Sequence, residues 1–175
     1  PAYVAVTFDK DRQTFRTEMY DGYKATRKPA PAELVPQFDL ILEVMHVMGV
    51  AVYSLSGYEG DDVLGTLSAR YEKELPVAIV TGDRDALQLA SDRTVYLMQK
   101  GISSMSEMTP KAVEEKYGIT PSQVIDMKAL MGDTADNIPG VPGIGEKTAL
   151  KLLTQYKTLD NLYAHVDEIK GAQGK

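Results

Sequence analysis

The stretch GYEGDDVLGTLSARYEKELPVAIVTGDRD, residues 57–85, joins two clusters of acids through a helix pattern and a short apolar run. Residues 61–74 have the apolar spacing of an amphipathic helix, with Asp61 or Asp62 predicted as its N-cap. Residues 77–81, VAIVT, are predicted to form a buried strand, and a short helix is predicted after it. The acids at the two ends of this unit are Glu59, Asp61, Asp62, Asp83 and Asp85.

Further strands and helices are predicted on both sides of this stretch. The β-branched and aromatic runs at residues 3–8, 50–55 and 94–98 are predicted strands. Residues 29–49 begin with prolines and then show helical periodicity that ends at Gly49. Alternation of strand and helix is typical of a mostly parallel sheet flanked by helices, so the fold class is predicted to be α/β.

The chain changes character near residue 109, where short helical patterns separated by Gly and Pro replace the strands. We therefore expect an α/β core at residues 1–108 and a helical subdomain at residues 109–175, with a flexible tail at residues 170–175. The predicted helices of the subdomain are residues 109–118, 121–132, 146–156 and 158–166.

Composition excludes several classes of site. The 175 residues include no cysteine, which excludes disulfides, thiolate catalysis and cysteine-bound zinc, and no apolar run approaches the ~20 residues of a membrane span. The net charge is −6, from 25 acids and 19 Lys plus Arg. If eight of the acids form one cation-binding cluster, 17 remain against 19 bases. A polyanionic partner therefore stays compatible with this composition.

The acids after the predicted strands point to metal chemistry. Asp9, the cluster at residues 59–62 and the pair at residues 83–85 each follow a strand, and the carboxyl ends of parallel strands meet at one edge of a sheet. Taken singly, each acid is as well explained by a helix cap or a turn. Together, carboxylates at close range repel each other unless they protonate or bind cations. Oxygen donors of this kind suit Mg²⁺ or Mn²⁺, and two such ions would catalyse phosphodiester hydrolysis.

The string IPGVPGIGEKTA, residues 138–149, is the second distinctive feature. Its glycines and prolines are compatible with a tight turn between two helices. The same glycines would let the backbone approach a phosphate, held by the amides at the start of the next helix, with Lys147 and Lys151 one turn apart. Contacts of this kind read no bases, so binding would be independent of sequence.

Five strings carry a resemblance to a known family: VTFD (residues 6–9), FRTEMYDGYKATRKP (15–29), GYEGDDVLGTL (57–67), TGDRDALQL (81–89) and the long run YGITPSQVIDMKALMGDTADNIPGVPGIGEKTALKLL (117–153). With them the chain resembles the 5′ nuclease domain of bacterial DNA polymerase I, in the flap endonuclease family. The resemblance implies a PIN-like nuclease core with a helix-hairpin-helix subdomain. It also implies a 5′-3′ exonuclease or flap endonuclease that hydrolyses phosphodiesters in branched or nicked DNA during replication and repair.

The resemblance assigns roles to the acids and to the glycine hairpin. Asp9, Glu59 and Asp61 would hold the catalytic ion, with Asp62 supporting it through water. A second Mg²⁺ or Mn²⁺ would be held by Asp83, Asp85 and Asp136, with Asp133 nearby. The hairpin would grip duplex DNA, in the family often through a monovalent cation such as K⁺. Its predicted contact residues are Gly140, Gly143, Gly145, Lys147, Thr148 and Lys151.

The basic segment at about residues 10–30 matches the arch of the family, under which a 5′ single strand passes. By the resemblance, Lys24 and Arg27 are the catalytic cations on the scissile phosphate. Arg16 is a predicted DNA contact, and Tyr20 and Tyr23 are predicted to stack on bases, as aromatic side chains do in single-strand channels.

The family pattern also includes an Asp on a strand that would precede Pro1, and this sequence has no counterpart to it. We therefore expect the chain to be truncated at its N-terminus and reduced in activity. The resemblance further implies a polymerase domain in the parent chain, a monomer, no membrane contact and a place with the bacterial chromosome in the cytoplasm. Two alternatives stay open, namely a non-catalytic module that binds duplex DNA and an RNase with a related acidic site.

Overall fold

The computed structural model describes residues 1–91, 94–99 and 105–169. The chain divides into two compact units, Pro1–Leu67 and Ser68–Lys175, with the boundary inside a helix. The predicted flexible tail lies outside the described residues. Within the described ranges, no helix combines the length and the apolar character that a membrane crossing requires.

Unit 1 is built on one parallel pair of strands. Strand β1 (Ala5–Thr7) pairs in parallel with β2 (Ala51–Tyr53). Two helices lie between these strands in the chain, α1 (Phe15–Met19) and α2 (Val35–Val47), and α3 (Gly60–Tyr71) follows β2. Helix α2 ends as predicted, with Gly49 in the left-handed conformation at φ 69°.

Unit 2 contains a second sheet, in which β3 (Val77–Thr81) pairs in parallel with β4 (Thr94–Gln99). Strand β5 (Met105–Met108) joins the other edge of β4 in antiparallel orientation. A 3-10 helix, Arg84–Leu89, follows β3 and corresponds to the short helix predicted there. The loop between β3 and this helix carries Asp83.

The rest of unit 2 is mainly helical. Its helices are α4 (Pro110–Tyr117), α5 (Gln123–Met131), α6 (Glu146–Tyr156) and α7 (Leu159–Ala164), followed by a 3-10 turn, Val166–Glu168. Two-residue strands β6 (Gly132–Asp133) and β7 (Ile138–Pro139) form an antiparallel hairpin between α5 and α6. The helices pack around apolar side chains that are almost wholly buried, among them Val113, Ile119, Leu130, Ala149 and Leu153.

The parallel pairing and the four C-terminal helices agree with the sequence prediction, and three details differ. No helix was predicted in the segment after β1, and this segment contains α1. Strands β5, β6 and β7 were not predicted. The N-cap prediction for α3 is wrong, because the helix begins at Gly60 and both Asp61 and Asp62 lie in its first turn.

Candidate metal and nucleic-acid site

In unit 1, the end of β1 lies beside the start of α3. Because β1 and β2 are parallel, the segments that leave them start at the same edge of the pair. Asp9 Oδ1 accepts a 2.6 Å hydrogen bond from the amide of Gly60. A Cβ at Gly60 would lie 3.2 Å from the carbonyl carbon of Phe8, so glycine suits this close approach. The structure thus brings Asp9 to the acidic cluster at residues 59–62.

Glu59 is a buried carboxylate, with 8% of the residue exposed. The Tyr23 hydroxyl donates to Glu59 Oε2 at 3.1 Å, and Lys24 Nζ donates to Oε1 at 2.7 Å. A carboxylate with so little access to water needs donors and opposite charge as compensation. The predicted arch residues supply both here.

Asp62 is held by the guanidinium of Arg16 in a two-point contact, with both nitrogen–oxygen distances at 2.7 Å. Its Oδ2 also accepts a 2.9 Å hydrogen bond from the amide of Glu59, one turn earlier. The hydrogen bonds from Arg16 hold the pKa of Asp62 below its usual range, and burial offsets this only in part. Asp62 in turn raises the pKa of Arg16. Planar paired contacts of this kind are among the stronger ionic contacts in proteins.

In unit 2, two more acids meet around one base. Lys128 Nζ lies 2.6 Å from Asp85 Oδ1 and 2.7 Å from Asp133 Oδ2. Asp83 caps the 3-10 helix, because its Oδ1 accepts a 2.8 Å hydrogen bond from the amide of Asp85. Asp133 Oδ1 accepts hydrogen bonds from the backbone of the turn that follows it, namely from the amides of Ala135 and Asp136.

The electrostatics of this group follow from burial and charge. Burial raises the pKa of Asp85, the nearby Asp83 and Asp133 raise it further, and Lys128 offsets only part of the rise. Burial also acts to raise the pKa of Asp133, but Lys128 and the backbone amides outweigh it, and the pKa falls. The pKa of Lys128 is raised, because its two carboxylate partners outweigh the effect of burial.

The donor set fits a divalent cation in chemical character. All eight predicted ligands offer carboxylate oxygens, which are the donors that Mg²⁺ and Mn²⁺ prefer. The buried Oδ1 of Asp85 accepts no hydrogen bond from any described residue and has Lys128 as an ion-pair partner. A metal ion at this oxygen would take the place of Lys128 as the compensating charge.

Nevertheless, among the described residues neither unit forms a ready coordination shell from its own predicted ligands. Within either unit, no three carboxyl or imidazole side chains of the described residues are close enough to hold one ion. Four of the predicted ligands are instead ion-paired with bases: Glu59, Asp62, Asp85 and Asp133. Asp61 is exposed in the first turn of α3, and Asp136 is half-buried after β6. The ligand assignments stay predictions.

Lys128 is the functional candidate that the sequence interpretation missed. It lies in the last turn of α5, where a base is favoured by the helix dipole alone. Its position five residues before Asp133 gives no recognisable spacing, and its contact with Asp85 depends on the tertiary fold. Only the folded chain shows that Lys128 is shared by two acids.

Gly140 of the glycine hairpin packs against Gly132, which precedes the hairpin, and the fold requires glycine at both positions. A Cβ on Gly140 would lie 2.2 Å from the carbonyl carbon of Met131 and 2.4 Å from the amide nitrogen of Gly132. A Cβ on Gly132, at φ 74°, would in turn lie 2.4 Å from the amide nitrogen of Gly140. Gly140 therefore has a structural reason to be glycine, and its predicted DNA contact stays a prediction.

The other two glycines of the hairpin face open space. Gly143 has φ 82° in the turn closed by a 3.0 Å hydrogen bond from the Ile144 amide to the Val141 carbonyl. Gly145 is the N-cap of α6 with extended backbone, and neither glycine has an atom within 4 Å of an added Cβ. On α6, Lys147 and Lys151 are exposed and Thr148 is half-buried, so this end of the helix presents two bases.

The remaining arch residues differ in availability. Tyr20 is 42% exposed, whereas Tyr23 is buried with its hydroxyl on Glu59. Tyr23 would have to leave this packing before its ring could stack on a base. Arg27 is exposed, and Lys24 is engaged by Glu59. Base stacking and phosphate contact stay predictions for all four.

Comparison with known proteins gives consistent matches along the chain. Residues 1–118 match the family of the 5′-3′ exonuclease N-terminal resolvase-like domain, and residues 119–175 match that of the 5′-3′ exonuclease C-terminal SAM fold. The whole chain is 50% identical to DNA polymerase I of Bacillus caldotenax over 177 residues. It is 45% identical to a 5′-3′ exonuclease of Bacillus subtilis strain 168.

A solved structure shares the fold. The bacteriophage T5 flap endonuclease, in a pseudo-enzyme–product complex with DNA and metal ions, aligns with 97% of the chain at a TM-score of 0.77 and 22% identity. The match takes in 65% of the T5 chain. The present chain spans about one fifth of the DNA polymerase I relative and 60% of the Bacillus subtilis exonuclease.

Proposed function

Because the chain belongs to the 5′-3′ exonuclease family, we propose that it is a metal-dependent nuclease domain. It would hydrolyse phosphodiester bonds at 5′ flaps and 5′ ends of branched or nicked DNA in replication and repair. The observation that carries this proposal is the pair of family matches, which together span residues 1–175 in order. The location of Asp9 beside the start of α3 supports it independently.

In this proposal, two divalent cations, Mg²⁺ or Mn²⁺, lie among the carboxylates. Asp9, Glu59 and Asp61 would hold one, with Asp62 supporting it through water. Asp83, Asp85 and Asp136 would hold the other, with Asp133 nearby. When bound, such ions generate a nucleophilic hydroxide and stabilise the leaving oxygen of the phosphodiester. The carboxylates would fix the ions in place.

Lys24 and Arg27 would stabilise the charge that develops on the phosphate, since cations placed at such oxygens lower the barrier of the reaction. Lys24 now donates to the buried Glu59 at 2.7 Å. It would have to exchange this carboxylate for the phosphate of the substrate. Arg16, Tyr20 and Tyr23 belong to the same segment, which would guide the 5′ single strand.

The hairpin and the start of α6 would hold the duplex by its backbone. Gly143 and Gly145 leave the loop uncovered, and Lys147 and Lys151 add positive charge next to the helix amides. Gly140 and Thr148 would complete the contact, with K⁺ as a monovalent bridge to phosphate.

The proposal includes the setting of the domain. A nuclease core at residues 1–108 and a helical DNA-binding subdomain at residues 109–175 would act in a monomer. A polymerase domain would belong to the same parent chain, with the bacterial chromosome in the cytoplasm. Identity of 50% to a DNA polymerase I over the whole chain supports this setting.

The test is cleavage of a 5′-flap duplex in Mg²⁺ by the protein that carries this chain, compared with its Asp85→Asn variant. We expect cleavage near the junction by the wild type and a loss of at least about 10²-fold in the variant, because a misplaced ligand misplaces the reacting groups. Binding without cleavage by the wild type would instead favour the duplex-binding module. Cleavage restricted to RNA strands would favour the RNase.

A further inference from the structure

The ammonium group of Lys128 occupies a position between two carboxylates that are predicted metal ligands. Its distances to Asp85 Oδ1 and Asp133 Oδ2, 2.6 and 2.7 Å, place it within direct ionic contact of both. The Lys128 side chain is 29% exposed, so the contact is partly shielded from water. One cation thus compensates two acids, and the group of three keeps a net charge of −1.

The two acids are held in place by features other than Lys128. Asp133 Oδ1 accepts hydrogen bonds from two amides of its own turn, at 2.8 and 3.3 Å. Asp85 lies in the first turn of the 3-10 helix, which Asp83 caps through the Asp85 amide. The backbone positions of both acids therefore do not depend on the lysine, and without its charge the two carboxylates would repel each other.

We propose that Lys128 is the internal counter-ion of this ligand pair: it offsets the repulsion between Asp85 and Asp133 before a divalent cation enters, and it competes with that cation for their oxygens. A divalent metal ion and the Lys128 ammonium group cannot both contact these two oxygens without strong repulsion between them. The flexible stem of lysine lets the ammonium withdraw toward solvent when the ion binds. This inference rests on the proposed metal-dependent function and adds a positioning residue to it.

Two opposite effects of neutralising Lys128 follow. Without the competing charge, the affinity of unit 2 for a divalent cation rises, by about tenfold or more. Without metal, the buried Oδ1 of Asp85 loses its ion-pair partner, and the protein becomes less stable. A residue with only a packing role would lower stability without improving metal binding.

The experiment measures Mn²⁺ binding by titration calorimetry and by the electron paramagnetic resonance signal of free Mn²⁺. The variants are Lys128→Gln and Lys128→Met, which remove the charge, and Lys128→Arg, which keeps it. Lys111→Gln is the matched control, because Lys111 forms an exposed helix pair with Glu115 and its loss changes net charge equally. Asp85→Asn identifies which binding event belongs to this pair. Circular dichroism and thermal melting in EDTA and in Mn²⁺ report folding.

We expect at least tenfold tighter Mn²⁺ binding by the two neutral variants at the site that Asp85→Asn removes, with a lower melting temperature in EDTA. Lys128→Arg and Lys111→Gln should bind as the wild type does. The inference is overturned if the folded neutral variants bind Mn²⁺ no more tightly than the wild type, or if Lys128→Arg binds it as tightly as the neutral variants are expected to. Either result leaves the proposed nuclease function standing. Failure of both the wild type and the variants to bind Mn²⁺ overturns the proposed metal site as well.

Discussion

At the scale of the residue, Gly140 and Gly145 lie in one hairpin but are glycine for different reasons. An added Cβ on Gly140 meets the backbone of Met131 at 2.2 Å, and backbone cannot move aside as a side chain end would. Gly145 has an open position and an extended backbone that any residue adopts. Stability and DNA contact can therefore be examined separately within this hairpin.

Replacing Gly140 with alanine should destabilise the chain by about 1–3 kcal/mol, the usual cost of forcing an extra group into a packed region. Gly145→Ser is the control, since serine is a good N-cap and its side chain meets no atom there. Urea denaturation measures the free energy of unfolding of both variants. Equal stability of Gly140→Ala and the wild type would contradict the close packing of Gly140 against Met131 and Gly132.

Arg16 offers a second test at this scale, because it joins the predicted arch to α3 through Asp62. We expect Arg16→Met to lower the free energy of unfolding in EDTA by about 1.5–3 kcal/mol, the range for hydrogen bonds to charged groups. The free energy of unfolding of Arg16→Lys should lie between those of the wild type and Arg16→Met, because lysine keeps the charge but not the two-point contact.

Arg12→Met is the matched control, since Arg12 is an exposed base of the same segment. The urea midpoint in EDTA separates the variants. If Arg16→Met is as stable as Arg12→Met, the contact with Asp62 does not contribute to the stability of unit 1.

At the scale of the element, the elements best predicted from sequence are those whose own periodicity is strong. Helix α6 and strand β3 have the predicted bounds, 146–156 and 77–81. The five-residue helix α1 is too short to show a helical period, and β5 forms because β4 offers it an edge. Such pairings are decided by tertiary contacts, and β-propensity alone does not encode them.

In the candidate site too, some features could be predicted from the sequence and others depend on tertiary contacts. Residue type and strand-end position identified the acids, and the hydrogen bond from the Gly60 amide to Asp9 agrees with the predicted meeting of two loops. The partners of those acids could not be predicted, because Arg16, Lys24 and Lys128 reach them over 46, 35 and 43 residues, respectively. Contacts over such separations depend on how helices and strands pack.

A prediction for the hairpin and α6 concerns DNA affinity without loss of stability. Gly145→Asp adds a favourable N-cap and places a negative charge where a phosphate would contact the helix amides. We expect at least about tenfold weaker binding to duplex DNA and an unchanged or higher melting temperature.

Fluorescence anisotropy with several duplex sequences measures this effect, which should be the same for each sequence. Gln37→Glu, at an exposed position on α2, adds the same charge outside the hairpin and serves as the control. Unchanged affinity of Gly145→Asp would exclude the start of α6 from the DNA contact. A loss that differs between sequences would contradict binding through the backbone alone.

At the scale of the whole molecule, the negative net charge of the chain opposes any contact with DNA. The chain has a net charge of −6 and a sequence pI near 5.0, so a polyanion is repelled by the protein as a whole. Two bound divalent cations would add +4 and leave −2. The ions would also neutralise the carboxylates nearest to the reacting phosphate in the proposed site.

DNA affinity should therefore depend on divalent cations even where no bond is cleaved. We expect the 5′-flap duplex to bind at least about tenfold more tightly in Ca²⁺, an ion that prefers carboxylate oxygens, than in EDTA at matched ionic strength. Affinity should fall with added NaCl in both conditions, because Lys147 and Lys151 would displace counterions from the phosphates. Removing both charges with Lys147→Gln and Lys151→Gln should reduce the salt dependence but keep the response to Ca²⁺. Equal affinity in Ca²⁺ and EDTA would show that the carboxylates do not face the DNA, and would contradict the proposed site as a whole.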